Sequence, residues 1–138
     1  MHDVFEIGFR EVLSNQALAE FILGYFGLDK GCVVSEEEYW AEDWGGKERI
    51  GITIQVATDG LKTNMSGVSF RALDDTALGN MAMEAAKSLN SEVVIGDYRK
   101  HGTEARGSFL SYFQDGSIWE AVDTSRGSIS DVKVLRQI

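Results

Sequence analysis

Proline is missing from all 138 residues, cysteine occurs once, histidine twice, and basic side chains are outnumbered by acidic ones. Each shortage excludes something. Without proline there is no polyproline segment and no proline-rich linker, so one domain over 1–138 is expected, punctuated by Gly and Asp-Gly positions. A lone Cys32 forbids an internal disulfide, which excludes a secreted, cross-linked scaffold. A chain of this length buries roughly two-thirds of the surface its unfolded form exposes, enough to fold without a staple. The two histidines, His2 and His101, have no H-x-x-x-H spacing and no cysteine pair beside them, so no metal or cofactor is expected. No apolar run reaches bilayer-spanning length, and the start, Met1-His2-Asp3-Val4-Phe5-Glu6, lacks the basic and apolar regions of a signal peptide. A cytoplasmic location without membrane contact is expected.

Basic residues number 13 against 22 acids, a formal net charge of -9. Such a balance repels nucleic acid and anionic membrane at long range and attracts basic proteins. The basic island Arg99, Lys100 and Arg106 is too small to reverse that sign, so direct nucleic-acid binding is not expected. G-x-x-x-x-G-K-[ST] and strand-linked G-x-G-x-x-G motifs are absent, which removes the common routes to nucleotide binding.

Periodicity divides the chain clearly. Phe5, Phe9, Val12 and Leu13 recur at helical spacing, weakened by Gly8, and predict a first helix. Ser14 suits an N-cap for a second, with Leu18, Phe21, Ile22, Tyr25 and Phe26 on one face and Gly27 as its left-handed end. Cys32 to Val34 reads as a short strand, and Gly45-Gly46 as a turn. Ile50, Ile52, Ile54 and Val56 alternate with polar or small residues, a half-buried strand closed by Asp59-Gly60. Val68 and Phe70 mark another. The spacing of Leu78, Met81, Ala82, Ala85 and Leu89 predicts a helix over Thr76–Leu89, capped by Asp74, Asp75 or Thr76 and stopped at Asn90. The unbroken Val93-Val94-Ile95 suggests a central strand. A polar loop from Asp97 to Gly107 precedes two strands joined at Asp115-Gly116, a strong hairpin signal, and Ile129 to Leu135 reads as an edge strand. Together these predict an α+β fold, a mostly antiparallel sheet packed against helices, with Phe21, Ile22, Ile52, Ile54, Val94 and Phe109 in the core.

Catalytic candidates are sparse. Asp97 could orient His101 as a general base for Cys32 or Ser108, and a small α+β enzyme on Asp97 and His101 is one reading. The same residues also read as a solvated polar loop, and no spacing selects a triad, so no enzyme is expected.

The densest chemistry lies in Ser35-Glu36-Glu37-Glu38-Tyr39-Trp40-Ala41-Glu42-Asp43-Trp44, where five carboxylates and three aromatics share ten positions. Its charges resist burial, and its aromatics carry too much apolar area to leave in water without return. The carboxylates could gather a hard cation, but the ordered spacing and central Gly of a calcium loop are missing. If extended, Glu36, Glu38 and Trp40 share one side; if helical, Glu36, Trp40 and Trp44 align at i, i+4, i+8. In either geometry aromatic anchors stand among steering charges, the pattern of a protein interface. Pinning of an edge strand by Tyr39 and Trp40 is the plainer alternative.

The run Glu36 to Trp44, the segment Val93-Val94-Ile95-Gly96-Asp97 and the Asp115-Gly116 hairpin, in a small acidic α+β chain, resemble a bacterial immunity protein. Such proteins are encoded beside polymorphic toxins, including those of contact-dependent growth inhibition. The resemblance is architectural and transfers no residue role. It implies stoichiometric binding of a cognate toxin domain, a basic protein and often a nuclease, with the toxin active site blocked. The expected partner-binding residues are Glu36, Glu37, Glu38, Tyr39, Trp40, Glu42, Asp43 and Trp44, chosen for their chemistry. The remaining alternative is an acidic secretion-type chaperone that holds an effector segment along a sheet edge.

Overall fold

A computed structural model of the chain describes residues 2–41, 46–97 and 108–138. The strands are β1 (His2–Phe9), β2 (Val33–Ser35), β3 (Ile50–Val56), β4 (Thr63–Leu73), β5 (Val93–Gly96), β6 (Ser108–Tyr112), β7 (Ile118–Asp123) and β8 (Val132–Gln137). Helix α1 (Asn15–Phe26) follows β1, the short α2 (Glu36–Ala41) follows β2, and α3 (Asp75–Ser88) follows β4. Among the described residues, all eight strands join one sheet in the order β2-β3-β4-β1-β5-β6-β7-β8. Every pairing is antiparallel except the parallel contact of β2 with β3. The fold is α+β, and Val93-Val94-Ile95 does lie in one of its two middle strands.

The first segment corrects the helical reading. Phe5 and Phe9 are four apart, which suits a helix turn, but Ile7 between them completes a period of two. In β1 these three side chains share one face and are buried in the core. Gly8 removes helix propensity, and β4 and β5 pair with the strand on both sides.

Elsewhere local signals operate as read. The Ser14 hydroxyl accepts the Ala17 N–H at 3.0 Å, and Gly27 ends α1 at φ 65°. Asp74 caps α3 by accepting the Ala77 N–H at 2.7 Å, and Asn90 takes φ 52° just beyond its end. Gly116 turns the β6–β7 hairpin at φ 91°, and β8 forms the far edge. Of the Gly45-Gly46 turn only Gly46 is described, and 98–107 of the expected polar loop lie outside the described residues.

The core lies between the sheet and the pair α1 and α3. Leu18 and Ile22 from α1, and Leu78, Met81, Ala82, Ala85 and Ala86 from α3, meet Phe5, Ile7, Phe9, Met65, Val93 and Ile95. Of the expected core, Ile22 is fully buried, while Phe21, Ile52 and Ile54 pack at its margin. Val94 is buried on the opposite sheet face, and Phe109 is half-buried there, because alternation sends neighbours of Val93, Ile95 and Leu110 the other way.

That opposite face is rolled. Five strand spacings separate β4 from β8, roughly 24 Å in a flat sheet. Yet the Leu61 N–H donates to the Ser130 carbonyl at 2.8 Å, joining the β3–β4 turn to the residues just before β8. Gly60, at φ 66°, lets the turn approach, since a Cβ there would stand 3.0 Å from Ile129 and overlap the Ser130 carbonyl.

Candidate functional site

Helix α2 sits on the face away from α1 and α3. Its start is set locally: the Ser35 hydroxyl accepts the Glu38 N–H at 3.1 Å, and Glu36, Glu37 and Glu38 occupy the first turn, where the helix dipole favours negative charge. Ser35-x-x-Glu38 matches a capping-box pattern, the sequence signal that would have chosen the helix over the extended form.

Packing then sorts the side chains. Gly51 of β3 leaves room for α2 to descend: a Cβ there would stand 2.8 Å from Tyr39 Cβ and 3.0 Å from Glu36 Cα. Tyr39 is half-buried against the sheet, and the Glu36 carboxylate accepts the Ser66 hydroxyl of β4 at 3.0 Å. Glu37 and Glu38 face solvent, and Trp40 is 70% exposed. The Trp40 ring meets Tyr39 edge to face, 5.1 Å between centroids at 83°. One aromatic therefore pins the helix and the other is offered to solvent. Glu42, Asp43 and Trp44 lie outside the described residues, so the expected Glu36–Trp40–Trp44 alignment can be followed only to Trp40.

The candidate catalytic residues are partly dispersed. Asp97 is buried, and its N–H donates to the Ser108 carbonyl at 3.1 Å, so these two are neighbours at the end of the β5–β6 ladder. Cys32 precedes β2 at one edge of the sheet, four strands from β5, where Arg49 Nη1 donates to its sulfur at 3.5 Å. His101 lies outside the described residues. No group of three or more His, Cys, Asp or Glu is placed to hold a metal among the described residues. No described helix is long and apolar enough to cross a membrane.

Beside α2 the rolled face encloses a groove of about 400 Å³, which the sequence reading missed. Its polar lining, Glu6, Thr53, Gln55, Asn64 and Ser66, reads in sequence only as the wet side of alternating strands. Asp131, on its lining, is held from outside the groove by Arg10, which donates to Asp131 at 2.6 Å and to Glu92 at 3.1 Å. Burial opposes the Asp131 charge, but hydrogen bonds from Arg10 and the Val132 N–H outweigh it and hold the carboxyl below its usual pKa. Burial likewise works against the Arg10 charge, and its two carboxylate partners more than offset it, raising the guanidinium pKa.

No protein-family model, curated protein or solved structure matches this chain. What the chain presents to a partner is a rolled sheet bearing an acidic-aromatic helix and a polar groove.

Proposed function

We propose that the protein is an immunity protein, which binds a cognate bacterial toxin domain of basic charge, a nuclease by preference, and blocks its active site through α2. The observation that carries this reading is Trp40, a large aromatic left 70% exposed beside the free carboxylate face of Glu37 and Glu38. Beyond its edge contact with Tyr39, an apolar ring left this far in water returns little to folding, whereas at an interface it is the kind of anchor that contributes on the order of 2 kcal/mol or more. A nuclease cleft must attract phosphate and is positive, so an inhibitor of net charge -9 is steered toward it and occupies it with carboxylates.

The test is binding kinetics, at two salt concentrations, against the C-terminal domain encoded immediately upstream. Trp40→Ala should chiefly raise the dissociation rate, because anchors act after docking. Reversal of Glu37 and Glu38 to Lys should chiefly slow association and flatten its salt dependence. If both variants bind as wild type does, the interface lies elsewhere.

A second reading draws on β8. Among the described residues that strand is paired on one side only and leaves Val134, Leu135 and the following Ile138 partly exposed, which suits a secretion-type chaperone holding an effector strand. An obligate dimer in the absence of any toxin would favour it.

A further inference from the structure

The groove beside α2 has its own chemistry. At about 400 Å³ it falls within the usual size range of small-ligand sites, and no Lys or Arg is among its lining residues. Glu6 projects from β1 between Ser66 of β4 and the β5 side, exposed and without a hydrogen-bond or ion-pair partner among the described residues. Asp123 stands across the groove at the end of β7. Its carboxylate accepts the Ser125 N–H at 2.8 Å, and the Ser125 hydroxyl and N–H hold it ionised. The third lining acid, Asp131, is already engaged by Arg10 and is not available.

Between these charges the groove offers an acceptor and a flat apolar wall. Asn64 Nδ2 donates to the Leu61 carbonyl at 2.8 Å, which leaves its Oδ1 as the free acceptor. That oxygen would stand 3.4 Å from a Cβ at Gly8, beside Leu61 Cδ1, which is nearer at 2.7 Å and covers that part of β1. Val94 and Phe109 complete the wall on β5 and β6, and Phe109 is opposed by Gly96, which has no side chain to cover the ring. Separated carboxylates, an amide oxygen and an aromatic face complement a ligand that is planar, cationic and rich in donors on an aliphatic stem. An arginine side chain, a guanidinium on three methylenes, meets all four requirements, whereas the ammonium of a lysine is a compact point charge that does not exploit a planar array.

We propose that the groove is a receptor for one arginine side chain, presented by the basic protein that α2 engages. The proposal rests on the reading above for the partner's identity and deepens it, adding a pocket to the flat acidic-aromatic contact.

The probe is N-acetyl-arginine methylamide, titrated into the isolated protein and followed by amide chemical shifts, with the neutral citrulline analogue as control. Saturable shifts at Gly8, Asn64, Gly96 and Phe109 are expected with the arginine probe, with dissociation constants on the order of millimolar for a single side chain. The citrulline analogue should bind at least fivefold more weakly. Glu6→Gln combined with Asp123→Asn should weaken the arginine probe at least fivefold, and Trp40→Ala should leave it unchanged. Equal binding of the two probes to the wild-type protein, shifts confined to α2, or no saturable shift would each overturn the proposal without any variant having to fold. These outcomes need no toxin, so they separate from a failure of the immunity reading. A groove that binds arginine while no basic partner depends on Trp40 would retain the pocket and discard that reading.

Discussion

The ring of Phe5 lies across the backbone of Gly67, the residue directly opposite it on β4, so that a Cβ at 67 would stand 2.6 Å from Phe5 Cε2. The missing side chain on one strand is filled by the aromatic of its neighbour. In an open strand, replacing Gly by Ala ordinarily stabilises by about 0.5–1 kcal/mol through reduced chain entropy. At position 67 the sign should reverse, with a loss of about 1–3 kcal/mol from overpacking. Urea unfolding of Gly67→Ala measures it, and the loss should shrink in a Phe5→Leu background because the two sites are in contact. An unchanged or raised midpoint for Gly67→Ala alone would contradict the packing described.

Tyr39 and Trp40 should behave oppositely although they are adjacent. Trp40→Ala should leave stability within about 0.5 kcal/mol of wild type, as surface substitutions do, whereas Tyr39→Ala should cost about 1–2 kcal/mol by unpinning α2. Gly51→Ala should lift the helix and weaken partner binding with little effect on the α1–α3 core. Thermal denaturation of the three variants decides it. Unfolding by Trp40→Ala would make that ring part of the core and remove it from the interface.

Arg10 holds the roll of the sheet closed through Asp131 and Glu92. Arg10→Met keeps the aliphatic stem and removes the charge-assisted bonds, each worth about 1.5–3 kcal/mol at most in partly exposed surroundings. The local signature is faster hydrogen exchange at the Leu61 N–H, which the Ser130 carbonyl protects. If Leu61 exchanges at the wild-type rate, the closure does not depend on Arg10.

Acid should loosen the C-terminal half first. Ser117 holds the Asp115 carboxyl below its ordinary pKa through its hydroxyl and N–H, and Ser125 does the same for Asp123. Asp131 is lowered as well, against its burial, by Arg10 and Val132. A folded pKa below the unfolded value of about 3.9 contributes stability that is complete above it and is lost as pH falls through the folded value. The midpoint should therefore hold down to about pH 5 and decline below about pH 4. Asp115→Asn with Asp123→Asn should flatten that decline; a slope identical to wild type would exclude these turns as its source.

A single cysteine allows no internal disulfide, and the fold is expected to hold without a structural metal. Neither chelator nor reductant should change the melting temperature. A reproducible drop with chelator would reveal a structural ion.

The elements whose instructions are local are legible in the sequence by itself. Ser14 and Gly27 bound α1, Asp74 and Asn90 bound α3, and Asp115-Gly116 turns β6 into β7 because caps and turns act within a few residues. The acidic-aromatic run was also visible as chemistry, since charge and aromatic content need no fold to be counted. Whether Phe5 to Phe9 is helix or strand was not, because apolar residues at i and i+4 satisfy both periods and only pairing with β4 and β5 chooses. Nor could the run say which aromatic stays in water. That choice is made by Gly51, twelve residues beyond Tyr39, which lets one face of α2 settle on the sheet and turns Trp40 outward. The groove is wholly a tertiary product: its lining comes from strands at both ends of the chain, and the roll sealed by Arg10, Asp131, Leu61 and Ser130 converts an ordinary polar sheet face into an enclosed one.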